Sequence, residues 1–158
     1  DYYKLMVYNG ILGGGAHSKL FLNVREKLSL AYYAGSRLER FKGILLISAG
    51  IEMANKQQAM DEIQLQVAAM RNGEITEAEY SATILSLVNA IRSLGDNINY
   101  LVDYYLGQVI GVDQVSLSQF ADKVESVTLA DVVEIAARVE LDTVYFLTGK
   151  GQQGGEQA

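Results

Sequence analysis

The sequence predicts an α+β fold: a small, mostly antiparallel sheet with helices packed on one of its faces. Three observations point there. Helical apolar spacing recurs in several segments, two short β-favouring runs lie next to each other, and the two kinds of element do not alternate as a parallel sheet requires. At 158 residues, one domain with a real core is the expected organisation, because a chain of about 150 residues buries roughly 70% of its unfolded surface. Residues 1–149 are assigned to that domain. The Gly- and Gln-rich stretch 150–158 has no apolar periodicity and is expected to be a disordered tail.

Each element has a local reason. The apolar opening "YYKLMVYNGIL" reads as a first helix, and Ser18 to Leu28 as a second, with Leu20, Phe21, Val24 and Leu28 on one face and Lys19, Asn23, Glu26 and Lys27 mostly opposite. Gly13, Gly14 and Gly15 between them are read as a structural loop, a tight or left-handed connection. The runs "LAYYAGSRLERF" and "GILLISAGIEM" form an expected antiparallel hairpin turning at Lys42-Gly43, with the second strand the more buried. Helical period returns from Ala54 to Arg71, placing Ala59, Met60, Ile63, Val67 and Met70 inward, and Asn72-Gly73 supplies the stop.

Thr76 with Glu79 spells a capping box for a helix that buries Tyr80, Ile84, Leu87, Val88 and Ile91 before Gly95. Further helices are expected from about Asn97 to Ile110, from Ser116 (with Gln119) to Glu125, and from Thr128 (with Asp131) to Val139. The closing "TVYFLTG" is read as a strand with Val144 and Phe146 on one face. Proline is absent, so glycines and caps carry all the punctuation.

Composition excludes several functions. The net charge is −6, and the 13 basic residues form no cluster of the kind phosphate backbones need, so no nucleic-acid partner is expected. No apolar run approaches the roughly 20 residues that cross a bilayer, so no membrane partner is expected. Without cysteine there is neither a disulfide nor a thiolate, which fits a reducing, cytoplasmic location. The chain starts at Asp1 directly in apolar sequence with no signal-like region, and a truncated N-terminus is the expectation.

The familiar chemical motifs fail around the glycines. A phosphate loop needs G-x-x-x-x-G-K-[ST], whereas "GILGGGAHSK" has Ser and Lys in the wrong order and place. A dinucleotide fingerprint would need an acidic residue ending a second strand. His17 is the sole histidine and there is no cysteine, so the usual zinc ligand sets cannot be assembled, and His17 is read as flanking a helix start. No G-x-S-x-G elbow or third triad member accompanies it. Carboxylates such as Asp61, Glu62, Glu77 and Glu79 fall on solvated helix faces, and Tyr104-Tyr105 are read as packing residues.

Arg25 and Tyr32 remain. One stands near the end of a helix beside its apolar stripe, the other at a strand start seven positions on, so guanidinium and hydroxyl can converge on one backbone carbonyl. On spacing alone, a surface ion pair and a half-buried tyrosine are the commoner outcome.

The stretch "ILGGGAHSKLFLNVREKLSLAYYAGS" is similar to the pattern LGGG-x-x-S-x-L-F-x-x-x-R-E-x-x-x-L-A-Y of the insulinase-like zinc peptidases, the pitrilysin or processing-peptidase (M16) family. The resemblance extends more loosely over residues 3–148 through the hairpin, the "EIT-x-x-E" start and the "VT-x-x-DV" helix. It implies paired homologous α+β domains that close like a clamshell on a peptide. The N-terminal type carries H-x-x-E-H and zinc. The C-terminal type is metal-free and supplies an arginine and a tyrosine, seven apart, that hold the substrate backbone. Arg25 and Tyr32 match those positions, and no H-x-x-E-H occurs here.

The resemblance therefore implies a substrate-binding C-terminal domain, inactive alone, with zinc in an N-terminal domain or a partner chain. The wording is most similar to a Gram-positive bacterial subgroup whose chains come in pairs, only one with the zinc motif. An inactive subunit that completes a heterodimer is the alternative it implies. The implied partners are a peptide, the N-terminal domain, and a second family chain or a homodimer.

Overall fold

The computed structural model describes residues 1–111 and 114–149, and the expected tail at 150–158 lies outside them. The fold is α+β. Helix α1, Tyr2–Gly13, is apolar on nearly every side because almost every side is covered. It touches strand β1 (Ala31–Glu39) and helices α2 (Lys56–Arg71), α3 (Glu77–Ser93), α5 (Leu117–Glu125) and α6 (Leu129–Ala136). Val7, Tyr8, Ile11 and Leu12 are wholly buried, and Leu20, Val24, Met70, Val88, Val124 and Val132 close around them.

Strand β2, Ile44–Ile51, runs antiparallel to β1 in a two-stranded sheet, with Ser36 opposite Ile47 and Leu38 opposite Leu45. The turn uses one 3-10 turn at Arg40–Lys42, and Gly43 takes φ 62°, a left-handed conformation that glycine adopts without steric cost. Ala34, Leu45 and Ile47 pack on the core while Ile44 and Leu46 face outward. The second strand is therefore half-buried like the first, not more buried. Opposed residues of an antiparallel pair share a face, and both strands present the same face to the helices.

The end of α1 lies so close to β1 that a methyl group at Gly13 would sit 2.6 Å from Ser36 Oγ and 2.8 Å from the Gly35 carbonyl carbon, and closer still to the Ser36 nitrogen. None of Gly13 to Gly15 has a positive φ. Close approach is what the first of these glycines provides.

The helix ends follow their local chemistry. After α2 the Glu74 N–H donates to the Ala69 carbonyl (2.9 Å) and the Gly73 N–H to Met70 (3.3 Å), with Gly73 at φ 75°, a Schellman stop. Helices α3, α5 and α6 each open with a complete capping box, at Thr76/Glu79, Ser116/Gln119 and Thr128/Asp131. Helix α4, Ile98–Ile110, starts on the Asn97 side chain, which accepts from the Asn99 N–H.

Two of these caps also hold distant helices. The Lys19 ammonium lies 3.0 Å from Glu79, with both side chains largely shielded from water. Burial alone would push the Glu79 carboxyl up, but the Thr76 N–H, the Lys19 ammonium and the Thr76 hydroxyl together hold it below the usual range. Lys4 on α1 reaches Asp131 at 2.8 Å, and this ammonium, with the Thr128 hydroxyl and N–H, holds the Asp131 carboxyl well below its ordinary value.

The expected last strand is not formed. Helix α6 stops at Ala136, short of Val139, and no strand among the described residues pairs with 143–149. Tyr145 and Leu147 stay 80% and 79% exposed, so the alternating pattern alone does not make a strand. A strand requires a ladder partner for its backbone. Instead, Phe146 lies under the Lys56 ammonium, 4.5 Å from ring centre to nitrogen.

Candidate functional site

The site forms where the second helical segment hands over to β1. Ser18, fully buried, begins that segment: its hydroxyl donates to the Gly15 carbonyl at 2.6 Å and accepts from the Phe21 N–H at 3.5 Å. His17 just before it pairs with the Thr83 hydroxyl of α3 at 3.0 Å, so it flanks the helix start and also ties it to the neighbouring helix. From Phe21 to Lys27 the helix is π-helical instead of the plain α-helix expected over 18–28. Its last bond runs from the Leu28 N–H to the Asn23 carbonyl, five residues back, at 3.2 Å. Apolar residues four apart fit both forms, which is why the pattern does not separate them. The wider turn keeps Leu20 and Val24 buried and leaves Leu28 37% exposed.

Ser29 then takes φ 51°, a left-handed conformation uncommon for a serine, and turns the chain into β1. That turn brings Arg25 and Tyr32 to one open hollow of about 430 Å³, whose walls include Glu26, Ser29, Glu52 and Asn55. The Arg25 guanidinium lies 4.7 Å from the centre of the Phe21 ring, and its Nε is 3.6 Å from Glu26, leaving the side chain 43% exposed. The Tyr32 hydroxyl donates to Glu52 Oε1 at 2.9 Å. That bond, and next the negative charge of Glu52, hold the Tyr32 phenol above its ordinary value.

The residues lining the hollow thus include a guanidinium donor and a hydroxyl hydrogen-bonded to a carboxylate. Those groups suit a peptide backbone, which carries both carbonyl acceptors and N–H donors. Gly13 to Gly15 do not line it. Gly13 packs on β1, a methyl on Gly14 would meet Gly10 of its own helix, and one on Gly15 would meet the His17 ring.

Sequence reasoning overlooked Glu52 and Ser29 and placed Glu26 on a solvated face. The hairpin register held the signal for Glu52. Ala31 is opposite Ile51 and Tyr33 opposite Gly50, so Tyr32 is the extra residue of an irregularity at the end of the sheet where the chain leaves β2 through Glu52.

The resemblance implies zinc in another domain or chain, and the residues present here do not fit a zinc site of their own. The chain has one histidine and no cysteine, and no group of three or more His, Cys, Asp or Glu among the described residues is placed to hold a metal. Nor is any helix among them long and apolar enough to cross a membrane.

The α+β domain has a counterpart among known families. The model for the peptidase M16 inactive domain matches residues 1–87, and the chain belongs to that family. Among curated proteins of Bacillus subtilis (strain 168), it is 41% identical over 149 residues to the probable inactive metalloprotease YmfF, covering 94% of this chain and 35% of that one. It is 37% identical over 79 residues to the uncharacterized zinc protease YmxG, covering 49% of this chain and 19% of that protein. The chain thus spans about a third of the first relative's length and a fifth of the second's.

Of solved structures, a conserved protein from Enterococcus faecalis V583 superposes with TM-score 0.80 at 36% identity, over 87% of this chain and 32% of the other. A protease from Helicobacter pylori superposes with TM-score 0.73 at 21% identity, over 86% and 34%, a likeness of fold.

Proposed function

We propose that this domain holds an extended peptide without cutting it, with Arg25 and Tyr32 gripping the backbone. The observation that carries the reading is their convergence, from a π-helical turn and a strand start, on one solvent-open hollow. π-Helical turns cluster at functional sites, and the exposed guanidinium keeps donors free for a carbonyl. Zinc and the water-activating base would come from another domain or chain of the family, as no ligand set is placed among the described residues.

Titrating the ¹⁵N-labelled chain with an N-acetylated extended peptide tests this. Shifts should concentrate at residues 21–32 and at Glu52, and Arg25→Ala should weaken binding by about tenfold or more, the worth of a charged hydrogen bond. Shifts elsewhere, or unaltered affinity in the variant, would refute the reading.

A second reading concerns the protein that carries the domain. The 41% identity to a probable inactive metalloprotease favours a non-catalytic subunit that completes a site with a zinc-bearing chain. Elemental analysis of that protein, purified without partners, separates the two. One zinc per chain places the hydrolytic site in the same protein, and none places it in a partner that should copurify.

A further inference from the structure

Helix α4 has the usual polarity of a helix reversed. Its one buried residue is Gln108, whose amide bonds both backbone groups of Val115: Nε2 donates to the carbonyl and Oε1 accepts from the N–H, each at 2.8 Å. The Tyr104 hydroxyl donates to the same carbonyl at 2.9 Å. These bonds fix which side of the helix faces inward, and the side left outward is apolar. Ile98, Val102, Tyr105 and Val109, with Leu106 and Ile110 beside them, are 51–76% exposed.

The spacing of this face says what fits it. Steps of four, three and four residues keep Ile98, Val102, Tyr105 and Val109 on one seam, the repeat by which a helix meets another helix along its length. The seam carries no charge, and the one charged residue of α4, Asp103, lies about a third of a turn away. A partner selected by charge has nothing to read there. A second copy of the chain does match. The steps read the same in both directions, so two seams set antiparallel place Ile98 against the partner's Val109 and Val102 against the partner's Tyr105, with the helix dipoles opposed. At these exposures the six side chains leave roughly 600 Å² open, the upper end of what a monomer shows in one patch. Two copies would cover about 1,200 Å², the lower end of a stable interface.

We infer that α4 is a docking surface through which two copies of this chain pair, antiparallel and about a two-fold axis, in a dimer of micromolar stability. None of its residues lines the hollow of Arg25 and Tyr32, so the inference does not rest on the peptide-holding reading.

Sedimentation equilibrium of the full chain from about 2 to 500 µM tests it. The average mass should climb from one chain to two around some tens of micromolar, as suits an interface of this size. Val102→Glu puts unpaired charge in the middle of the seam and should raise that midpoint about tenfold or more. Because Val102 is exposed in the single chain, the variant should keep the wild-type far-UV circular dichroism. Leu85→Glu, at an exposed leucine of α3, is the control and should leave the midpoint unchanged. The chain has no cysteine, so Ile98→Cys and Val109→Cys report the direction: mixed and oxidised they should cross-link, and neither should alone.

A chain that stays monomeric at the highest concentration overturns the inference, and so does a dimer indifferent to Val102→Glu. Cross-linking within each single variant but not in the mixture overturns the antiparallel pairing. Growth beyond two chains would show a contact that does not close, against a two-fold axis. Added salt should tighten the dimer, since each copy carries a net charge of −6 and the seam has no ion pair to screen. Loosening in salt would mean that charged groups hold the copies together, against the seam.

Discussion

Replacing Gly13 with alanine isolates the contact that fixes α1 against the hairpin. The new methyl would lie 2.6 Å from Ser36 Oγ and 2.8 Å from the Gly35 carbonyl carbon. Carbon pairs sit best at about 3.5–4.0 Å, so the overlap approaches an ångström and falls mostly on backbone, which has no rotamer to escape into. Overpacking of this kind costs about 1–3 kcal/mol. Alanine returns up to about 1 kcal/mol through helix propensity, and less at a helix end such as Gly13.

The net expectation is a loss of about 1–2.5 kcal/mol, which for a chain of this size lowers Tm by about 2–10 °C. Gly107 inside α4 is the control, since a methyl there meets nothing within 4 Å. The same substitution at that position should gain about 0.5–1 kcal/mol. Urea unfolding and thermal melts followed by far-UV circular dichroism read both. If Gly13→Ala melts at or above the wild type, as is expected of Gly107→Ala, then unfolded-state entropy and not the contact governs the position.

Two further perturbations probe the core and the caps. Glu79 and Asp131 have lowered folded-state values, so the stability they contribute is complete above about pH 4, their ordinary range, and is lost as pH falls through the folded-state values. Urea midpoints measured from pH 7 to 3 should therefore drop on the acid side, and Asp131→Asn should flatten that drop; an unchanged acid limb in the variant would count against the cap. Burial pushes the Tyr8 phenol up to about 12, and its hydroxyl has no partner among the described residues. Tyr8→Phe should then leave stability unchanged or raise it by up to about 1 kcal/mol, whereas a clear loss in the urea midpoint would show that the hydroxyl is bound.

Legibility in the sequence followed the range of the physics. The three capping boxes and the Asn72-Gly73 stop depend on residues within about four positions of one another, and each was readable as written. Helix α1 was readable as apolar but without a face, because its surroundings come from four other helices and a strand. The 143–149 strand failed since a ladder partner is a tertiary fact that alternation does not contain. At the proposed site, Arg25 and Tyr32 were singled out by resemblance, their spacing alone favouring a surface ion pair and a half-buried tyrosine, and their shared hollow depends on the π-helical register and on Ser29. Neither leaves a mark in residue type: a serine is not the residue expected at a positive φ.

The π-helical turn makes chain length, more than residue choice, the vulnerable property of the site. Each residue advances an ordinary helix by about 100°, from 3.6 residues per turn. Losing a single residue between Phe21 and Lys27 would let the segment relax to ordinary winding and swing the arginine about a quarter-turn away from Tyr32, even with every side-chain chemistry retained. A one-codon deletion there is expected to weaken the peptide hold proposed above. Among homologues, spacing across this segment is thus the character to compare before any single amino acid.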